Sequence, residues 1–419
     1  MQTIRIKKGV NFYLNERDKF NTAIFQVDLV FPTNAQYFAD LNLLSGLLKK
    51  HSTKFKLHQQ IIDFLEKHYG ANLDIDYDFF GTTADFSFTL SFVHPRLLKD
   101  SQYRFSDLIN FLQEIIFDQN DRVQEFFENE KKYCKNILKD NLTDPQTLIF
   151  YQALPHYISS NQMNVPLSGT FTQLNSVKLD QVYDLWQHLL QTSCINIYYD
   201  GFTLTSENHR VIQNFLDRFF PRVGWDLSNP YYVETKPSQA LIEEQRTTFK
   251  ESILLQQYYL NGHARYRGEH YGAWLLFNQI FGGDSESFLF QEIREKCQLS
   301  YEVYSSLSFG LNCFYVYATL NENQFELVDQ KIEDTFKKIK ENAYKTDILK
   351  NAKEAIKNLL LYQNDGRLFD LEQQKMKFIV PNYINNEDLI KEIQMVTPED
   401  LISCCEQIHP GIKMWYRGI

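Results

Sequence analysis

The residues able to bind metal or attack a substrate are scattered along this 419-residue chain rather than grouped. Two imidazoles four positions apart on a helix share one face, which is what lets such a pair hold zinc with a glutamate between them. No H-x-x-E-H or H-x-x-x-H occurs, and His263 and His270 stand seven apart without an acidic residue at ligand spacing. The six cysteines (Cys134, Cys194, Cys297, Cys313, Cys404, Cys405) form no C-x-x-C pair and read as reduced packing residues. Gly282-Gly283 lacks the Lys and Ser/Thr that complete a phosphate loop. Arginines and tyrosines offer further donors, among them Arg294 and Tyr301, which no motif of these kinds singles out. A guanidinium is a rigid fork of N–H groups suited to carbonyl oxygens, and a phenol hydroxyl can be aimed at developing negative charge. By residue type alone they read as a solvated helix residue and a strand aromatic.

The elements that must position them follow from periodicity. Phe25, Val27, Leu29 and Phe31 alternate as a strand; Leu43, Leu44, Leu47 and Leu48, then Ile61, Ile62 and Leu65, recur at helical spacing. Leu73, Ile75 and Tyr77, then Phe86, Phe88, Leu90 and Phe92, alternate on either side of Gly81 and predict a hairpin. The order βααββ restarts near residue 248, with a strand to 260, helices over 269–281 and 286–297, and strands over 301–307 and 313–319. Glu66 and Glu295, Gly81 and Gly310, and Leu47 and Leu276 share one offset (295 − 66, 310 − 81 and 276 − 47 all equal 229). Such self-similarity at domain length predicts a duplication. Further helices are expected over 105–117, 121–141 and 178–191, and over 323–341, 344–363 and 385–408. Pro221, Pro230 and Pro237 punctuate a polar stretch, so the expected division is residues 1–220, a linker at 221–247, and 248–419.

Composition narrows the functions open to such a chain. A net charge of −10 and the absence of a Lys/Arg run give no field for a phosphate backbone or an anionic membrane, so neither nucleic acid nor membrane is an expected partner. No apolar run approaches the roughly 20 residues of a membrane span, and the first residues resemble neither a secretory nor an organellar leader. A cytoplasmic protein is the expectation.

The stretch Phe281-Gly-Gly-Asp-Ser-Glu-Ser-Phe-Leu-Phe-Gln-Glu-Ile-Arg-Glu-Lys296, followed by Leu299-Ser-Tyr301, resembles the C-terminal-domain signature of the pitrilysin/insulinase metallopeptidases, the inverzincins. The resemblance implies an α+β fold of two homologous domains, each a mostly antiparallel sheet packed with helices, as in mitochondrial processing peptidase and LuxS-like metallohydrolases. Active members carry H-x-x-E-H on the first helix of the first domain, where two histidines hold zinc and the glutamate is the general base. Alignment on Ser52-Thr53 places those positions at Leu43, Gly46 and Leu47, and the third ligand near Ile137, seven residues past Glu130. None of the four carries a donor for zinc, so no metal is expected in this chain.

The resemblance further implies that Arg294 and Tyr301 bind substrate backbone and stabilise the oxyanion at a zinc site on another subunit, with Gly282, Gly283, Ser285 and Phe288 beside the substrate. The expected protein is the zinc-free subunit of a heterodimeric peptidase, whose H-x-x-E-H partner holds zinc and whose substrate is an unfolded peptide. The isolated chain is also open to pairing with a second copy. The alternative is a structural or peptide-holding member of the same fold that has lost catalysis.

Overall fold

The computed structural model describes residues 2–119, 122–158, 163–220, 240–245, 249–261, 266–343, 346–363, 366, 368–380 and 382–418. The chain divides into two compact units, Met1–Lys139 with Pro166–Asn229, and Asp140–Val165 with Pro230–Ile419. Each is a mixed sheet packed with helices.

The first unit is built on strands β1 (Gln2–Lys7), β2 (Val10–Glu16), β3 (Thr22–Pro32), β4 (Asn72–Phe80), β5 (Thr83–Val93) and β6 (Cys194–Gly201), in the order β1-β2-β6-β3-β5-β4. Only β2 and β6 run parallel. Its helices are α1 (Phe38–Leu48), α2 (His58–Lys67), α3 (Phe105–Phe117) and α4 (Gln124–Asn141), and, after a helix of the second unit, α5 (Pro145–Tyr157), also α6 (Phe171–Ser176), α7 (Leu179–Thr192) and α8 (Ser206–Asp217). The alternating apolar residues of β3 and β5 form the core: Phe25, Val27, Leu29, Phe86 and Phe88 are fully buried, and the Trp186 ring of α7 lies 5.7 and 5.6 Å from those of Phe86 and Phe88. Trp186 keeps its indole N–H satisfied on the Ile116 carbonyl at 3.2 Å.

The second unit repeats the plan with β7 (Ala240–Gln245), β8 (Ser252–Leu260), β9 (Ser300–Ser308), β10 (Cys313–Leu320) and β11 (Ile408–Arg417), ordered β7-β11-β8-β10-β9 with β7 and β11 parallel. Shifting β3, β4 and β5 by the 229-residue offset gives 251–261, 301–309 and 312–322, each within about two residues of β8, β9 and β10. The duplication is therefore structural. Its helices are α9 (Tyr271–Asn278), α10 (Phe325–Lys340), α11 (Thr346–Gln363), α12 (Phe369–Ile379), α13 (Asn386–Met395) and α14 (Pro398–Glu406). Phe281 sits in the core against Phe336 (4.5 Å), Phe314 (5.1 Å) and Phe277 (5.5 Å).

Four details depart from the periodicity reading. Most of the expected linker, 221–239 and 246–247, lies outside the described residues, but 240–245 is a strand added to the second sheet. Residues 140–165 join the second unit rather than the first, because α5 lays Phe150 against Tyr315 (5.0 Å) and Tyr317 (6.2 Å) and sets the Tyr157 hydroxyl 3.0 Å from the Tyr258 carbonyl. The expected helix over 385–408 is two, since Thr397 caps the Asp400 N–H and Pro398 cannot continue a preceding helix. The expected helix over 286–297 widens to a π-helix from Phe290 to Lys296. None of the six cysteines forms a disulfide, and Cys404 and Cys405 lie buried in α14.

Candidate functional site

Arg294 and Tyr301 come together at the edge of the second sheet. Ile293 is fully buried and anchors the π-helix, and the Cys297 N–H reaches back five residues to the Glu292 carbonyl at 3.0 Å. Gln298, in the left-handed region at φ 53°, turns the chain into β9, whose single neighbour is β10. Leu299 N–H closes the turn on the Ile293 carbonyl at 2.9 Å. The wide turn leaves the Arg294 guanidinium over two rings, 4.7 Å from the centre of Phe290 and 5.3 Å from that of Tyr301. Such cation–π contacts at a surface are worth about 0.5–1 kcal/mol and orient the fork without consuming its donors.

Both groups keep their donors available. Tyr301 is 77% exposed, and neither its hydroxyl nor the Arg294 guanidinium makes a hydrogen bond among the described residues. Glu295, 4.0 Å from Arg294 Nε, is at the limit of an ion pair. Glu292 is held instead by Lys331 and Lys296, both at 3.1 Å, and these lysines keep its carboxyl below the ordinary range.

The neighbouring residues divide between packing and surface. Gly282 is buried where a Cβ would come within 2.8 Å of the Ser305 backbone nitrogen, so it is a close-packing position and not a substrate contact. Phe288 is likewise a correction to the expectation: it is 6% exposed, with Lys338 Nζ 4.0 Å from its ring centre. Gly283 and Ser285 are exposed. Asp284 shapes that turn by accepting the Glu286 N–H at 2.8 Å, and Gln291 caps the Ser285 carbonyl at 2.7 Å.

On α1, Leu43 and Leu47 are buried hydrocarbon. Gly46 meets the carboxylate of Glu130 on α4 so closely that a Cβ would fall 2.0 Å from Oε1. Glu130 is 4% exposed, ion-pairs with Lys50 one turn after Gly46, and receives the Cys134 thiol at 3.9 Å. Burial, reinforced by the Glu130 carboxylate, pushes the Cys134 thiol up to about 12. Lys50 Nζ also lies 5.1 Å over the Tyr133 ring. Ile137 stands two turns along α4 from Glu130 and is exposed.

His51 is buried against Phe126, with ring centres 5.3 Å apart and no partner for either nitrogen among the described residues; burial holds its imidazole below the ordinary range. The residues present do not fit a zinc ion: three positions have no lone pair to offer, and the one carboxylate is already paired with an ammonium. Among the described residues no group of three or more His, Cys, Asp or Glu could hold a metal ion. His270 is exposed near Glu269 (3.7 Å), and His263 lies outside the described residues.

Residues 177–356 match the family described as peptidase M16 inactive domain. A protein of Bacillus subtilis (strain 168) described as probable inactive metalloprotease YmfF is 21% identical over 418 residues, covering 98% of this chain and 96% of that one. Residues 177–356 are thus similar to the M16 inactive domain, and the chain as a whole is similar to an inactive metalloprotease. The same fold is found in a crystal structure of a conserved protein from Enterococcus faecalis V583, 23% identical with a TM-score of 0.92 over 100% of this chain and 98% of that one. It recurs again in the peptidase M16 inactive domain from Pseudomonas fluorescens, 15% identical with a TM-score of 0.76 over 100% and 98% of the two chains. The resemblance carried by residues 281–301 agrees with the match of residues 177–356 to the M16 inactive domain.

Sequence reasoning missed what packs against Gly46 on α1. Glu130 is visible in sequence as a survivor, but Lys50 and Cys134 carry no motif that would join them to it. The available signal was helical spacing alone: Gly46 and Lys50, and Glu130 and Cys134, are each one turn apart.

Proposed function

We propose that this chain is the zinc-free subunit of a two-subunit M16 endopeptidase. It presents Arg294 and Tyr301 to a peptide held at the zinc site of a homologous H-x-x-E-H subunit. The observation that carries the reading is the pair itself: an exposed phenol and a guanidinium stacked on it, both with uncommitted donors, beside an exposed strand edge. A chain that only held a fold together would gain nothing from leaving these donors unpaired.

In this role the Arg294 fork donates to a substrate carbonyl oxygen, and the Tyr301 hydroxyl donates to the oxygen that becomes negative in the tetrahedral state. The partner contributes the metal and the general base; this chain contributes position and charge stabilisation. The edge strand β9 offers free backbone groups to an extended peptide. Among the described residues no helix is long and apolar enough to cross a membrane.

The test is reconstitution with an H-x-x-E-H subunit that co-purifies with this chain, followed by cleavage of an unstructured peptide. Loss of one oxyanion donor costs about 3 kcal/mol, on the order of 100-fold in turnover. Arg294→Ala and Tyr301→Phe should each approach that loss while the two subunits still co-elute. Unchanged turnover in both variants would remove the assigned role.

A further inference from the structure

A cavity of about 660 Å³ opens in the second unit among α9, α11 and α12, with Leu275, Ile356, Leu360, Phe369 and Arg267 in its lining. That volume is typical of small-molecule sites. Neither Arg294 nor Tyr301 lines it. Arg267 is 5% exposed, and its guanidinium carbon lies 5.6 Å from the ring centres of Tyr271 and Tyr383 and 6.0 Å from that of Tyr266. Nη1 donates to Asn386 Oδ1 at 2.6 Å, while the buried Nε–H has no acceptor and the guanidinium no carboxylate within 4.0 Å among the described residues.

A guanidinium stays charged at any working pH, and a buried charge without a counter-ion is strongly unfavourable. Three aromatic faces and one amide replace only part of the lost water. The backbone is held to the same end: Arg267 sits at φ 54°, in the left-handed region, and its carbonyl accepts the Ile384 N–H at 2.7 Å. Strain of this kind persists where the surroundings over-determine a residue.

We propose that this cavity binds a small organic carboxylate, whose oxygen accepts from the Arg267 guanidinium in the cavity lining while its apolar body lies along Leu275, Ile356, Leu360 and Phe369. Glu372, the other charged lining residue, opposes a second negative group, so the ligand carries a single anionic head. An apolar body with one carboxylate describes both a short fatty acid and the terminal residue of a peptide.

Isothermal titration of the full chain separates these sources. Octanoate represents the first and N-acetyl-leucine the second, with octanol, octylammonium and N-acetyl-leucinamide as partners lacking the anion. Saturable binding of either carboxylate, at least about tenfold tighter than its uncharged or cationic counterpart, is the expected result, and which carboxylate binds names the source. Arg267→Met should weaken that binding at least tenfold. Because Arg267 is buried, Leu275→Trp serves as the second variant: it keeps the charge and fills the cavity, and should also abolish binding with circular dichroism unchanged. No saturation by either carboxylate at millimolar concentration, equal affinity for octanol and octanoate, or unaltered binding by folded Leu275→Trp would overturn the proposal.

Discussion

Alanine at position 46 offers the sharpest test of the close approach between α1 and Glu130. In an ordinary helix interior Gly→Ala stabilises by about 1 kcal/mol. Here the added Cβ would stand 2.0 Å from Glu130 Oε1, 2.4 Å from Cδ and 3.0 Å from Cγ, so the carboxylate must leave its place. Overpacking of this order costs about 1–3 kcal/mol. Moving Glu130 also breaks its pairing with Lys50, and losing one partner of a buried pair costs about 3–5 kcal/mol, discounted because the Lys50 side chain is 37% exposed. After the propensity gain, the net effect is a loss of roughly 2–4 kcal/mol. Urea unfolding followed by circular dichroism measures it, with hydrogen exchange at α1 and α4 reporting the local opening. The decisive arm is the background Glu130→Ala, in which Gly46→Ala should revert to neutral or stabilising. If Gly46→Ala stabilises the otherwise unaltered protein, or costs the same with and without Glu130, the close approach is not what holds this region.

Three further outcomes follow from other residues. Burial raises the Asp40 carboxyl from 3.8 to about 6, so the folded state prefers it protonated and stability falls as pH rises from about 4 through about 6; Asp40→Asn should gain up to about 3 kcal/mol at pH 8 and nothing at pH 4, read from urea midpoints at the two pH values. Gly282→Ala puts a Cβ 2.7 Å from Ser305 Oγ and 2.8 Å from the Ser305 nitrogen, which cannot yield, and should lower stability by about 1–3 kcal/mol in the same assay. Iodoacetamide with mass-spectrometric mapping should modify Cys297, the half-buried thiol, well before the five buried ones.

The duplicated plan was legible because it is written in apolar alternation: Phe25–Val27–Leu29 and Phe86–Phe88 face a core in one unit, and a constant offset carries the same pattern into the other. Strand β6 was not, since it is buried along its whole length and shows no period of two. The π-helix at Phe290–Lys296 was also hidden, because its residues are good helix formers and the widening depends on Ile293 docking and on the turn at Gln298.

At the site, the Arg294–Tyr301 pairing could be read from a motif, whereas Phe288 could not be placed, since an aromatic beside a helix start packs inward or outward according to its neighbours. Arg267 left no trace in sequence at all. Its burial is set by Tyr266, Tyr271 and Tyr383, the last of which is more than a hundred positions away.

Zinc content tests the central claim most directly. The full chain, dialysed against micromolar zinc and then against metal-free buffer, should retain far less than one equivalent by plasma mass spectrometry, with Glu130→Gln no different from the unaltered protein. One zinc ion held per chain, released by Glu130→Gln, would contradict the account and return catalytic metal to α1.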